Sequence, residues 1–252
     1  MEPVAEPSAD RDALLAAAMK SVTVEDGADV SVAVRDLASG EEAAYRDGTF
    51  DTASIVKVDI LAALLLQAQD ADRGTTALER SYAAAMIENS DNASATALWD
   101  AIGRSAGLDA ANKRFGLTGT TGGDGALWGL TRTTAADQLV LLRQVFGAES
   151  LLSSASRAYL VGLMGGIAAG QDWGVSAAAS SGSGSGWALK NGWLPRSSTG
   201  RWDINSIGRI TVDGRDYLVA ALSDGNTTKA RGVALVEAAA EAAVSAFRDT
   251  AA

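Results

Sequence analysis

The chain has 252 residues and a formal net charge of -10, from 21 Lys and Arg against 31 Asp and Glu, and it contains neither His nor Cys. The two absences exclude a Ser-His-Asp triad, a Cys-His pair, His or thiolate metal sites and disulfides, so no cofactor or metal is expected. The acidity argues against nucleic acid as a partner, and acid–base chemistry is left to Lys, Asp, Glu, Tyr or Arg.

Residues 1–10 read as a loose end with two prolines, opening acidic and polar rather than as a signal peptide. Asp10 is placed to cap a helix over residues 12–19. Val30, Val32 and Val34 alternate with small or polar residues and predict a half-buried strand over 30–37. Ser39-Gly40 is a turn, and 42–46 is the returning strand. After Thr52 the pattern changes. Ile55, Val56, Ile60, Leu61, Leu64 and Leu65 predict a mostly apolar helix to about Gln69. Further helices fit 77–87, 93–101, 134–146 and 154–164.

The Ala/Ser/Gly-rich stretch 174–186 reads by composition as a flexible linker. Strands follow at 187–193, 202–212 and 217–222, with Asp213-Gly214 as a hairpin turn between the last two. An Ala-rich helix over 230–247 closes the chain. The order is helix, two strands, a long helical block, three strands, helix. It predicts an α+β fold whose antiparallel sheet is made from both ends of the chain. No apolar run approaches the roughly 20 residues of a membrane span.

Three short segments carry candidate chemistry. In Ser54-Ile55-Val56-Lys57, Ser and Lys stand three apart on a helix and share a face. A Ser hydroxyl needs a base, and a buried Lys of lowered pKa is the one available without His. The plain alternative is an N-cap Ser beside a surface Lys. Ser90-Asp91-Asn92 precedes an Ala-rich helix. It reads either as a helix cap or as a proton-relaying hydroxyl with a substrate-binding amide. Lys190-Asn191-Gly192-Trp193 lies on a predicted strand. Lys190 is either an exposed edge-strand cation or a charge for a substrate carboxylate. Gly192 would let substrate approach the backbone, and the Trp193 amide would donate to an oxyanion.

Together, in this order, the three segments resemble the Ser-x-x-Lys, Ser-Asp-Asn and Lys-Thr-Gly set of class A β-lactamases and penicillin-binding proteins. The resemblance spans most of the chain. It implies a five-stranded antiparallel sheet flanked by N- and C-terminal helices, with an inserted all-helical domain. The sheet domain would comprise 1–52 plus 182–252 and the insertion 53–181, with the active site between them. It implies that Ser54 is acylated, Lys57 is the base, Ser90 relays the proton and Asn92 binds the substrate amide. Lys190 would support the carboxylate and the relay. The amides of Ser54 and Trp193 would form the oxyanion hole, and the stretch before Lys190 becomes a loop entering the sheet. Secretion or a cell-envelope location is expected from the family. The expected partner is a small molecule or peptide with an acyl group, and the chain is expected to be a monomer.

The chain also departs from the family pattern. The family's loop Glu, which activates the deacylating water, has no counterpart in 115–134, where Asp124 is the only carboxylate. Asn191 stands where the family has Thr or Ser. Ser54 and Ser90 are only 36 residues apart, which suggests a trimmed helical domain. Trp128, Trp193 and Trp202 are candidates for the cleft wall or the core. Arg196, Arg201 and Arg209 are candidates for a carboxylate or for a solvated hairpin. The expectation is a serine hydrolase that forms an acyl-enzyme with an amide, ester or β-lactam and releases it slowly. Three alternatives stand beside it: a genuine β-lactamase, a D-Ala-D-Ala peptidase, and a ligand-binding module without catalysis.

Overall fold

The structure is a computed structural model that describes residues 10–180 and 186–248. The expected loose end falls almost wholly outside those residues, as does 181–185 of the Ser/Gly run. Helix α1 (Arg11–Ala18) starts at Asp10, whose side chain accepts from the Ala13 amide at 3.1 Å. Strands β1 (Asp29–Asp36) and β2 (Glu42–Tyr45) follow, then a two-residue strand β3 (Phe50–Asp51). The helical block is α2 (Val56–Asp70), α3 (Ala77–Glu88), α4 (Asn92–Ile102) and α5 (Arg104–Phe115). Strand β4 (Arg132–Thr133) leads to α6 (Ala135–Phe146) and α7 (Ser154–Gly165). The chain closes with β5 (Trp187–Arg196), β6 (Arg201–Val212), β7 (Arg215–Asn226) and α8 (Lys229–Arg248).

The main sheet has the order β2-β1-β7-β6-β5, with every neighbouring pair antiparallel. Both chain ends therefore build one sheet, as expected. The β6–β7 hairpin turns at Asp213 and Gly214, both at positive φ (51° and 78°). That is the geometry a two-residue Asp-Gly turn supplies at least steric cost.

One face of the sheet packs on α1 and α8 through Val30, Val32, Val34, Leu189 and Ile204. The other face packs on the helical block through Ala33, Ala188, Ile207 and Leu222. Strand β1 is thus buried on both faces rather than half-buried, because helices cover both sides of the sheet. The small residues Ser31 and Ala33 occupy its second face, so alternation of size concealed that burial. The stretch before β5 is no simple linker. Val175 is fully buried in the α8-side core, within a short 3-10 turn at Val175–Ala178.

Helix α2 is apolar nearly all round and is buried on almost every side, as such a helix must be. It carries a buried Asp59, which accepts from Asn112 Nδ2 at 3.0 Å. Burial pushes the Asp59 carboxyl up to about 7. Among the described residues its Oδ1 has no hydrogen-bond partner.

Candidate active site

Ser54 lies on a 3-10 turn, Ala53–Ile55, that runs into α2. Three supports fix this turn. Strand β3 pairs with β4, and the Thr52 amide donates to the Thr131 carbonyl at 2.8 Å. From the centre of the sheet, fully buried Asn205 donates Nδ2 to the carbonyls of Asp51 (2.9 Å) and Thr52 (3.0 Å). From β5, Gly192 presses on the turn so closely that a Cβ there would stand 2.7 Å from the Thr52 carbonyl oxygen and 2.8 Å from the Ser54 amide nitrogen. Ala53 is held at φ 47°, a region that L residues seldom occupy. The turn is therefore set by tertiary contacts and not by local preference.

One turn along, Lys57 is completely buried. Its Nζ donates to the Ser90 carbonyl (2.7 Å), Ser90 Oγ (3.1 Å) and Asn92 Oδ1 (2.8 Å). It also sits 4.9 Å from the centre of the Trp128 ring. Burial lowers its pKa to about 8, against a smaller opposing pull from Asp91. Lys190, 1 % exposed on β5, reaches the same hydroxyl: its Nζ is 3.1 Å from Ser90 Oγ and 2.9 Å from the Asn191 carbonyl. Burial, and then the charge of Lys57, lower its pKa to about 7. Asp91 caps α4 by accepting from the Ser94 amide at 2.7 Å. It thereby fixes Ser90, at φ 56°, between the two lysines. Ser54, Asn92 and Trp193 thus line one cleft, and Lys57, Ser90 and Lys190 form a buried hydrogen-bonded cluster joined to it through Asn92.

The profile of the beta-lactamase enzyme family matches residues 14–82 and 71–247. The chain belongs to the beta-lactamase enzyme family. No curated protein sequence matches it. Among solved structures, a PBP-A point mutant in an acyl-enzyme complex with penicillin G superposes with a TM-score of 0.78 at 20 % identity, over 94 % of this chain and 97 % of that one. A beta-lactamase from Xanthomonas campestris pv. campestris gives 0.72 at 22 %, over 94 % and 97 %. An ancestral class A beta-lactamase gives 0.72 at 23 %, over 94 % and 100 %. These likenesses show the same α+β fold.

Against the family pattern, several residues have different tasks from those the sequence suggested. Asn191 does not present its side chain to the cleft. It is buried, and Nδ2 donates to the carbonyls of Gln171 (2.8 Å) and Trp173 (2.7 Å), tying the preceding loop to β5. Strand alternation explains this, since Lys190 and Asn191 must face opposite sides. On the side where a Cβ would project, Gly192 is approached by the Ser54 turn. Lys190 is on an edge strand yet is buried, so it is not a surface cation.

The cleft beside Ser54 has a volume of about 370 Å³ and a wall that includes Leu127, Trp128, Leu130, Trp193 and Leu194. Trp128 and Trp193 line the cleft while also packing against the two cores, and Trp202 packs against the α8-side core without lining the cleft. Asp124 is exposed and does not line this cleft. Arg196 is paired with Asp51 and Asp203, Arg201 donates to the Asp26 and Gly225 carbonyls, and Arg209 pairs with Asp216. None of the three lines the cleft.

Sequence reasoning missed two positioning residues, Asn205 and Asp51. Both act through backbone or ion-pair contacts that have no motif. The nearest signal was the polar pair Asn205-Ser206 interrupting an otherwise strand-like run.

Proposed function

We propose that this protein is a serine acyl-transfer hydrolase in which Ser54 is the nucleophile and deacylation is the slow half of the cycle. The observation that carries this reading is the shared hydroxyl: Ser90 Oγ is 3.1 Å from Nζ of both Lys57 and Lys190. A neutral lysine is needed to take the Ser54 proton. At a pKa of about 8, Lys57 is about one-tenth neutral at pH 7, against roughly three in ten thousand for an ordinary lysine.

In the proposed acylation, Ser54 Oγ attacks the acyl carbon and its proton moves to Lys57. The carbonyl oxygen becomes an oxyanion held by the amides of Ser54 and Trp193. The Asn191 carbonyl points out of the sheet toward Lys190 Nζ, so two residues on the Trp193 amide points the same way. The proton then passes through Ser90 Oγ to the leaving group, with Lys190 holding that hydroxyl in place. Asn92, beside the cleft, is the substrate-amide donor in this reading.

Deacylation needs an aimed water and a base. Among the described residues no Asp or Glu lines the cleft. Residues 128–130, in the loop where the family pattern puts its Glu, instead form an apolar turn over Lys57. An export route to the cell envelope is part of this reading and rests on family membership alone.

The test is intact mass over time with penicillin G, beside Ser54→Ala. A lasting adduct of the drug's full mass on wild type alone supports the reading. A transient adduct with product turnover makes it a working β-lactamase. An adduct on the variant removes Ser54 from the role. Absence of any adduct with lactams and esters alike favours a module that binds without catalysis.

A further inference from the structure

We infer that the cleft takes esters with a neutral, apolar acyl group and disfavours substrates that carry a carboxylate on the leaving-group side. This rests on the reading of Ser54 as nucleophile. A substrate carboxylate that sheds hydration against an apolar wall needs a cation or several donors in its place, or it is disfavoured.

Residues 1–9, 181–185 and 249–252 contain no Lys or Arg, so every cation of the chain lies among the described residues. No Lys or Arg is among the residues lining the cleft. Arg196 and Arg132 both pair with Asp51. Arg201 is committed to two backbone carbonyls. Lys229 lies over the rings of Trp193 (4.3 Å) and Trp173 (5.8 Å). Lys57 and Lys190 lie beneath the cleft, buried and bonded to Ser90, Asn92 and the Asn191 carbonyl. Asn191, the remaining candidate donor of the third motif, turns its amide away to Gln171 and Trp173.

What the wall does offer is apolar surface. Apart from Ser54 and Asn92, every lining residue is glycine or apolar, and Leu127 stands 56 % exposed at the edge. A wall of this kind gains from burying an acyl chain and offers a carboxylate no cation, with Asn92 as its one side-chain amide. The chemistry balances without another reagent. The Ser54 Oγ–acyl bond forms, the ester C–O bond breaks, and the Oγ proton leaves on the phenol or alcohol by way of Lys57 and Ser90. Water then cleaves the acyl ester, releasing the acid and restoring the hydroxyl.

The experiment compares the rate of Ser54 acylation, read by intact mass, for a matched pair: m-carboxyphenyl hexanoate and its methyl ester. The methyl ester is expected to acylate at least about tenfold faster, and its hexanoyl form about tenfold faster than its acetyl form, the scale on which apolar pockets discriminate. Leu127→Arg, which adds a cation at an exposed edge position, is expected to narrow or reverse the preference between the pair. Equal or faster acylation by the carboxylate, blocked in Ser54→Ala, would overturn the inference and leave the nucleophile standing. Acylation by neither ester, or at the same rate in Ser54→Ala, would overturn both.

Discussion

A methyl group on Gly192 would stand 2.8 Å from the amide nitrogen of Ser54 and 2.7 Å from the carbonyl oxygen of Thr52. Strand β5 and the Ser54 turn are thus packed backbone to backbone. Gly192→Ala must force them apart. The expected cost is about 1–3 kcal/mol of stability, as overpacking gives. The loss of acylation rate should be larger in proportion, about a hundredfold, because sub-ångström misplacement of a reacting group costs that much. Thermal melting and acylation rate, measured on one preparation, separate the two effects. A variant that melts lower but acylates normally would show that the approach serves packing alone.

Lys57 should set the pH dependence. Its conjugate acid is destabilised by burial, with a pKa of about 8, so the neutral base accumulates as pH rises through that value. The acylation rate is expected to rise with a midpoint near 8 and then level. Lys57→Ala should lower it by about 10²–10⁴ and remove the midpoint, as loss of a general base does. A midpoint that survives in Lys57→Ala would transfer the role to Lys190, whose pKa is lowered to about 7.

Asp59 predicts a pH effect on stability from the same cause, burial, which here raises the pKa. Its folded pKa, about 7, lies above the ordinary value of 3.8. The native state therefore holds the proton more tightly than the unfolded chain does. Stability from this group is fully present below about pH 4 and is lost as pH rises through about 7. Asp59→Asn should remove that downward slope in urea unfolding between those limits. An unchanged slope would assign it to another group.

Asn191 ties residues 171 and 173 to the sheet through two hydrogen bonds. Asn191→Ala strands both carbonyls, at a cost of about 1–3 kcal/mol where no water replaces the donor. The variant is expected to melt lower and to be cut faster by protease within 171–180. Unchanged cutting would show that the loop is held by Val175 and the Ser206 Oγ that accepts its amide at 2.9 Å.

Much of this molecule was legible from periodicity and caps. The strand of alternating valines, the Asp-Gly hairpin and the mostly apolar α2 each carry one dominant local signal. Helix α5 was missed because only four of its residues are buried, which leaves little amphipathic pattern. The β3–β4 pair was missed because two residues have no period. At the site, Ser54, Lys57, Ser90 and Lys190 were readable as residue types at motif spacing. The tasks of Gly192 and Asn191 were not, since they depend on what lies across the strand. No motif records that the neighbour of Gly192 is the protein's own backbone.

The turn bearing Ser54 hangs from Asn205 in the middle of the sheet, whereas the wall bearing Trp128 belongs to a loop closed by mutual backbone bonds between Thr121 and Arg132 (2.9 Å each). The two are joined by the β3–β4 pairing, the Thr52–Thr131 bond, the Arg132–Asp51 ion pair and the contact of Lys57 with the Trp128 ring. Remodelling the wall at residues 127–130 is therefore expected to disturb the Ser54 turn through this seam, so that what the cleft accepts and where Ser54 stands change together.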